Sequence, residues 1–160
     1  MSKEDYGEKF QDHLLEQYKL YVEMADRISI RRAQANKFFI SLLSGLLAVL
    51  SIAINKSILT EMHNALFLAI SLLGLILGTL WYVTINSYRQ LNSEKFKVIH
   101  EIEQHLPFPC YEREWEILGK GKERKKYLQL TRVEQFIPFV LAFPYFLLFI
   151  YSLFALICKK

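Results

Sequence analysis

The sequence predicts an all-α integral membrane protein, built as an antiparallel hairpin of two long helices with a cytoplasmic stalk, plus a third transmembrane helix. Three observations carry that prediction. Three charge-free apolar runs, 38–54, 65–85 and 136–157, are long enough to cross a bilayer. An uninterrupted helical pattern extends from two of them into charged sequence. Lys and Arg are distributed unequally among the flanking segments.

Taken in order, residues 1–37 form a charged N-terminal segment in which Phe10, Leu14, Tyr18, Tyr21, Ala25 and Ile28 recur at helical spacing. No Pro or Gly interrupts the chain from Glu8 to Ser44, so one helix is expected to run from this segment into the first span. That span, 38–54, is short for a hydrocarbon core of about 30 Å. A connector, 55–64, leads to the second span, 65–85. Beyond Ile85 the helical pattern continues through Tyr88, Leu91, Phe96, Ile99, Ile102 and Leu106, until Pro107 and Pro109 end it. The two extensions should lie side by side as a stalk. There Arg27, Arg31 and Arg32 could pair with Glu94, Glu101 and Glu103, each exposed pair contributing about 0–1 kcal/mol.

The remaining region, 86–132, is predicted to hold a short amphipathic helix, Tyr111–Leu118, anchored by Trp115 and broken by Gly119 and Gly121. Thr131 and Glu134 have the spacing of a capping box leading into the third span, 136–157. Pro138 and Pro144 should bend that span. Its many aromatic residues, on several sides, suit lipid contact better than tight helix packing. Trp81 and Tyr82 mark the cytoplasmic interface of span two.

Orientation follows from the basic residues. Arg27, Arg31, Arg32 and Lys37 precede span one, whereas the 55–64 connector carries only Lys56. The 86–132 stretch is rich in Lys and Arg. The positive-inside rule therefore puts the N-terminus and the 86–132 region in the cytoplasm. The first 37 residues lack the apolar stretch and cleavage site of a secretory leader, so span one is expected to remain as an anchor. Lys120, Lys122, Arg124, Lys125 and Lys126, opposed only by Glu123, suit contact with anionic headgroups of the lipid bilayer or with a partner. No aromatic platform interleaves them, so no nucleic acid is expected.

Two rows of small residues stand out within the spans. Ser41, Ser44, Ala48, Ser51 and Asn55 share one face of span one, and Ser71, Gly74 and Gly78 share one face of span two. Small residues permit close backbone approach. Packing of the two rows against each other would close the hairpin; alternatively, the serine row would face the axis of a homo-oligomer and line a narrow pore. The spans carry no ionisable side chain, which argues against ion-coupled transport but not against a passive or gated pore.

No catalytic constellation, metal site or cofactor is expected. His100 and His105 are five apart, a poor spacing for metal ligands on one helical face, and His13 and His63 are isolated. Gly119-Lys120-Gly121-Lys122 lacks the spacing and the preceding strand of a phosphate loop. The two cysteines suggest neither a disulfide nor a zinc site.

The string Ser87-Tyr88-Arg89-Gln90-Leu91-Asn92, followed by Lys95–Glu103 and Leu106-Pro107, resembles a family of small bacterial three-pass membrane proteins. Glu114-Trp115-Glu116, Lys126-Tyr127 and Thr131-Arg132-Val133-Glu134 add to that resemblance, which covers roughly residues 10–155. The family is loosely similar in architecture to the SLATT-type membrane effectors of nucleotide-signalling defence systems. The resemblance implies a role in pore formation or membrane perturbation during phage defence and supplies no site residues; from the spans and their flanking charges the chain is expected in the bacterial inner (plasma) membrane as a non-enzymatic, oligomeric effector or pore. The expected function is such an effector, with the stalk sensing or docking a cytosolic protein. The alternative is an anchor or scaffold that recruits a cytosolic enzyme.

Overall fold

The computed structural model describes residues 6–55, 63–121, 127–128 and 130–158; the side chains of residues 53–55 and 63 lie outside the description. Among the described residues the chain is helical and contains no strand. Helix α1 spans Phe10–Asn55, α2 His63–Glu103, α3 Cys110–Ile117, α4 Leu130–Glu134 and α5 Ile137–Cys158. A single 3₁₀ turn, Gly119–Gly121, follows α3. The two long helices form because no Pro falls within either and their apolar and helix-favouring residues outweigh the few glycines, Gly45 in the first and Gly74 and Gly78 in the second. Their lengths of 46 and 41 residues exceed the about 20 needed to cross a bilayer. Helices α1, α2 and α5 are each long and apolar enough to cross.

The chain divides into two compact units, the first made of Met1–Arg32 with Ser87–Leu130 and the second of Ala33–Asn86 with Thr131–Lys160. In the first unit, Ala25 and Ile28 of α1 and Ile99 of α2 are buried. Tyr18 meets Glu103, and the Lys95 ammonium lies 5.0 Å above the Tyr21 ring, so the α1 and α2 segments run antiparallel. Helix α3 packs through Tyr111, whose ring stands edge-on to Phe96 at 5.6 Å. Its exposed side carries an Arg113–Glu116 pair at 3.1 Å.

The second unit is a three-helix bundle around Leu43, Trp81, Ile85 and Tyr145. Phe39 of α1 stacks on Trp81 of α2 at 5.9 Å. Tyr82 of α2 meets Phe139 of α5 at 5.2 Å, and the Gln135 amide donates to Asn86 Oδ1. Moving along α5 from Phe139 to Tyr145 the partner on α2 moves back from Tyr82 to Gly74, so these helices are antiparallel.

Several expectations are corrected here. Arg27 pairs with Glu23 on its own helix at 2.7 Å, Glu94 pairs with Lys97 at 2.7 Å, and Glu103 is buried among neutral donors. Of the pairing expected between Arg27, Arg31 and Arg32 and Glu94, Glu101 and Glu103, Arg27 and Glu94 bond within their own helices, and Glu103 bonds to Tyr18 and to the backbone of α3. Helix α4 begins at Leu130, one residue before Thr131, and ends before α5 starts. Pro138 falls in the first turn of α5, where a missing N–H costs no helical bond, and only Pro144 is interior. Trp81 is wholly buried in the bundle, its indole turned inward.

Candidate functional site

Two arrangements concentrate the chemistry of this chain: a buried carboxylate in the first unit and a hydroxyl-bearing helix contact in the second. Glu103 is the last residue of α2 and is completely buried. Its Oε1 accepts from the Tyr18 hydroxyl at 2.9 Å and from the backbone N–H of Tyr111, also at 2.9 Å. Its Oε2 accepts from the backbone N–H of Glu112 at 3.0 Å. The residue at the N-cap of α3 is Pro109, whose side chain has no acceptor. Glu103 thus supplies from another helix the cap that α3 cannot supply locally, and its negative charge favours the N-terminal end of the α3 dipole. Burial pushes the Tyr18 phenol well above its ordinary value, with the adjoining Glu103 carboxylate adding to the shift. Burial also raises Tyr111, aided by Asp26, Glu114 and Glu103. The sequence carried one signal for this contact: a helix opening on Pro109 with no side-chain cap of its own.

In the second unit, Tyr145 of α5 is fully buried and its hydroxyl donates to the Leu43 carbonyl of α1. Its ring lies over Gly74 of α2, so closely that a Cβ at Gly74 would overlap it. One turn on, a Cβ at Gly78 would stand 3.0 Å from Ala142 Cβ. Nearby, the Trp81 indole N–H donates to Asn36 Oδ1 at 2.8 Å. Each bond gives a polar group inside the helix bundle its partner, which a bilayer cannot provide.

This geometry redistributes the small-residue rows. Gly74 and Gly78 lie at a close helix contact, and what they approach most closely is span three. Ser71 is buried and its hydroxyl bonds back to the Leu68 carbonyl at 2.8 Å. Ser41, Ser44, Ala48 and Ser51 are exposed, and nothing lies within 4 Å of where a Gly45 Cβ would stand. The serine face therefore does not hold the hairpin shut. Asn55 ends α1, its side chain outside the description. The expectation that span three is mainly a lipid-facing helix is corrected on the Tyr145 side. Its other aromatics, among them Phe139, Phe143, Phe146 and Phe154, are exposed.

Of the basic run, Lys120 is described: it has φ 51° between two glycines that also have positive φ, and its ammonium lies 3.5 Å from Glu116. Arg113 and Lys120 together hold the exposed Glu116 carboxyl below its usual value. Lys122, Arg124, Lys125 and Lys126 lie outside the described residues, as does most of the 55–64 connector. No group of three metal-ligating side chains occurs among the described residues.

Three long apolar helices, two of them with extensions that fold together and the third keyed into the bundle by a buried tyrosine, define a multi-span α-helical membrane protein. The chain belongs to the octameric membrane protein family (8xMP), whose profile matches residues 15–154. It is accordingly an oligomeric membrane protein. No curated protein and no solved structure matches the chain.

Proposed function

We propose that the chain assembles as an octamer in the bacterial plasma membrane and acts there as a non-enzymatic pore or membrane effector. The observation that carries this reading is the uncovered face of span one. Leu43 and Leu50 bury one side of that helix, whereas Ser41, Ser44, Gly45, Ala48 and Ser51 remain exposed in the single chain. Hydroxyls and small residues on an otherwise apolar span suit a helix that faces other copies and a narrow aqueous path. In this reading Ser41, Ser44, Ser51 and Asn55 line the path. The N-terminus lies in the cytoplasm, as the basic residues before span one favour, and the Lys120–Lys126 run contacts anionic headgroups. The unit containing α3 is the docking or sensing surface for a cytosolic protein. The resemblance to SLATT-type effectors supports a role in antiphage defence.

The test is ion or dye flux from liposomes, read beside the native mass of the same preparation. Ser44→Leu and Ser51→Leu should keep the octamer and abolish the leak, because Leu is well tolerated in lipid and dries the path. Unchanged flux through intact octamers would remove this face from the pore. A wild type without flux under any trigger would leave a membrane anchor that recruits a cytosolic enzyme.

A further inference from the structure

Asn92 stands on the inward row of α2 in the first unit. Asn92, Phe96, Ile99 and Glu103 follow one another at four-three-four spacing, so they share one face of the helix. The other three are engaged on that face: Phe96 meets the Tyr111 ring, Ile99 is wholly buried, and Glu103 accepts from Tyr18. Asn92 Oδ1 is buried as well, yet no hydrogen-bond donor reaches it. The facing row on α1 is Tyr18, Tyr21, Ala25 and Ile28, at three-four-three spacing. With either the Tyr18–Glu103 or the Tyr21–Lys95 contact as reference, antiparallel helices of equal rise bring Asn92 within about one turn of Ala25 and Ile28. Both of these residues are buried, and neither side chain carries a donor.

An acceptor removed from water and given no donor is less stable than an apolar side chain of similar size in the same place. A polar residue in the seam of a helix pair weakens that pair in the same way. The ion pairs near this level, Glu23–Arg27 and Glu94–Lys97, are each made within one helix and do not tie the two helices together. The weak level also has a definite place along the chain. On α1, Ile28 falls between Tyr18 and the first apolar span; on α2, Asn92 falls between the second span and Glu103.

We infer that the α1–α2 contact at Asn92 is the yielding point of the stalk, where the two helices part while the Tyr18–Glu103 tie holds, and that this parting is the conformational step that opens the pore. Parting lets water reach the stranded amide oxygen, so the opened state recovers free energy that the closed state lacks. Elements that move are drawn from the least stable parts of a fold, and this level carries its own destabilising group. The link to opening rests on the pore reading proposed above; the yielding point itself rests on Asn92 and its apolar surroundings alone.

The test is amide hydrogen exchange of the full chain in liposomes, read beside ion flux from the same liposomes. Asn92→Leu replaces the stranded amide by an apolar side chain of similar size, and Asn92→Ala removes it without adding bulk. Ser93→Ala, at the exposed next position, measures how much of any change is helix propensity. Exchange over residues 20–30 and 88–96 should slow by about fivefold or more in Asn92→Leu, the effect of relieving one unsatisfied acceptor. Ser93→Ala should slow it by no more than about threefold. Ion leak should fall in Asn92→Leu and stay near wild type in Ser93→Ala. If Asn92→Leu fails to fold, Asn92→Ala carries the comparison, and it too should slow exchange more than Ser93→Ala. Exchange that is unchanged or faster in the Asn92 variants would overturn the yielding point, which is also the result if a tightly held water satisfies the amide. Slower exchange with undiminished leak would overturn the link to opening. A wild type without leak would overturn the pore reading and leave the yielding point to be decided by exchange alone.

Discussion

The Tyr18 hydroxyl donates to the Glu103 carboxylate at 2.9 Å across 85 residues of sequence, and the same carboxylate caps the N-terminus of α3. One buried side chain therefore ties three helices together. Its removal would strand a phenol O–H and two backbone N–H groups at once.

Glu103→Ala should accordingly cost the first unit about 2–4 kcal/mol, from several unsatisfied donors at about 1–3 kcal/mol each less what water recovers. Protease sensitivity of the 104–121 region in detergent is the measurement. Tyr18→Phe, which leaves both caps on α3 in place, should cost about 1 kcal/mol. Equal losses for the two variants would show that the α3 cap contributes nothing.

High pH provides a second check on the same contact. Burial and the nearby carboxylate raise the Tyr18 phenol above 10.0, and burial raises Tyr111 from the same value. A raised phenol pKa means that the folded protein holds its proton where the unfolded chain has released it. That stabilisation is complete below about pH 10 and is lost as pH climbs towards the folded value. Stability measured between pH 8 and 11.5 should fall at the alkaline end, and the fall should be smaller in Tyr18→Phe. An identical profile in that variant would remove Tyr18 from the linkage.

In the second unit, Gly74→Leu should disrupt the bundle, because even a Cβ there overlaps the Tyr145 ring. A loss of about 3 kcal/mol or failure to assemble is expected, the upper end for overpacking. Tyr145→Phe keeps the ring and removes only the bond to Leu43, for about 0.6–1.7 kcal/mol. Thermal unfolding in one detergent should rank wild type above Tyr145→Phe and Tyr145→Phe above Gly74→Leu. The opposite order would mean that the hydroxyl matters more than the close approach.

Trp81→Phe tests the indole bond to Asn36. The ring stack with Phe39 is largely preserved, so the loss is chiefly one hydrogen bond, about 1 kcal/mol. Trp81→Ala should cost about 3–5 kcal/mol through the cavity it leaves. Similar, small effects from both would place the indole outside the core.

The local physics of the chain determined its class and its elements. Apolar runs of bilayer length specify spans because a backbone in hydrocarbon must satisfy its own hydrogen bonds. The absence of Pro and Gly from Glu8 to Ser44 and the pair Pro107 and Pro109 set where the long helices continue and where α2 ends. Helical periodicity also picked out Ala25, Ile28 and Ile99 as inward positions, since a period is a property of one helix.

What only the tertiary structure decided is which face meets which helix. Gly74 and Gly78 were legible as a site of close approach, but their partner, span three with Tyr145, was not. A small residue records that something comes near without recording what. Glu103 read as a surface charge until α3 folded back onto it, because a carboxylate's environment is set by donors far away in sequence. The same holds for Arg27 and Glu94: their signs were plain in the sequence, whereas the folded chain pairs each with a neighbour one turn away on its own helix, Glu23 and Lys97.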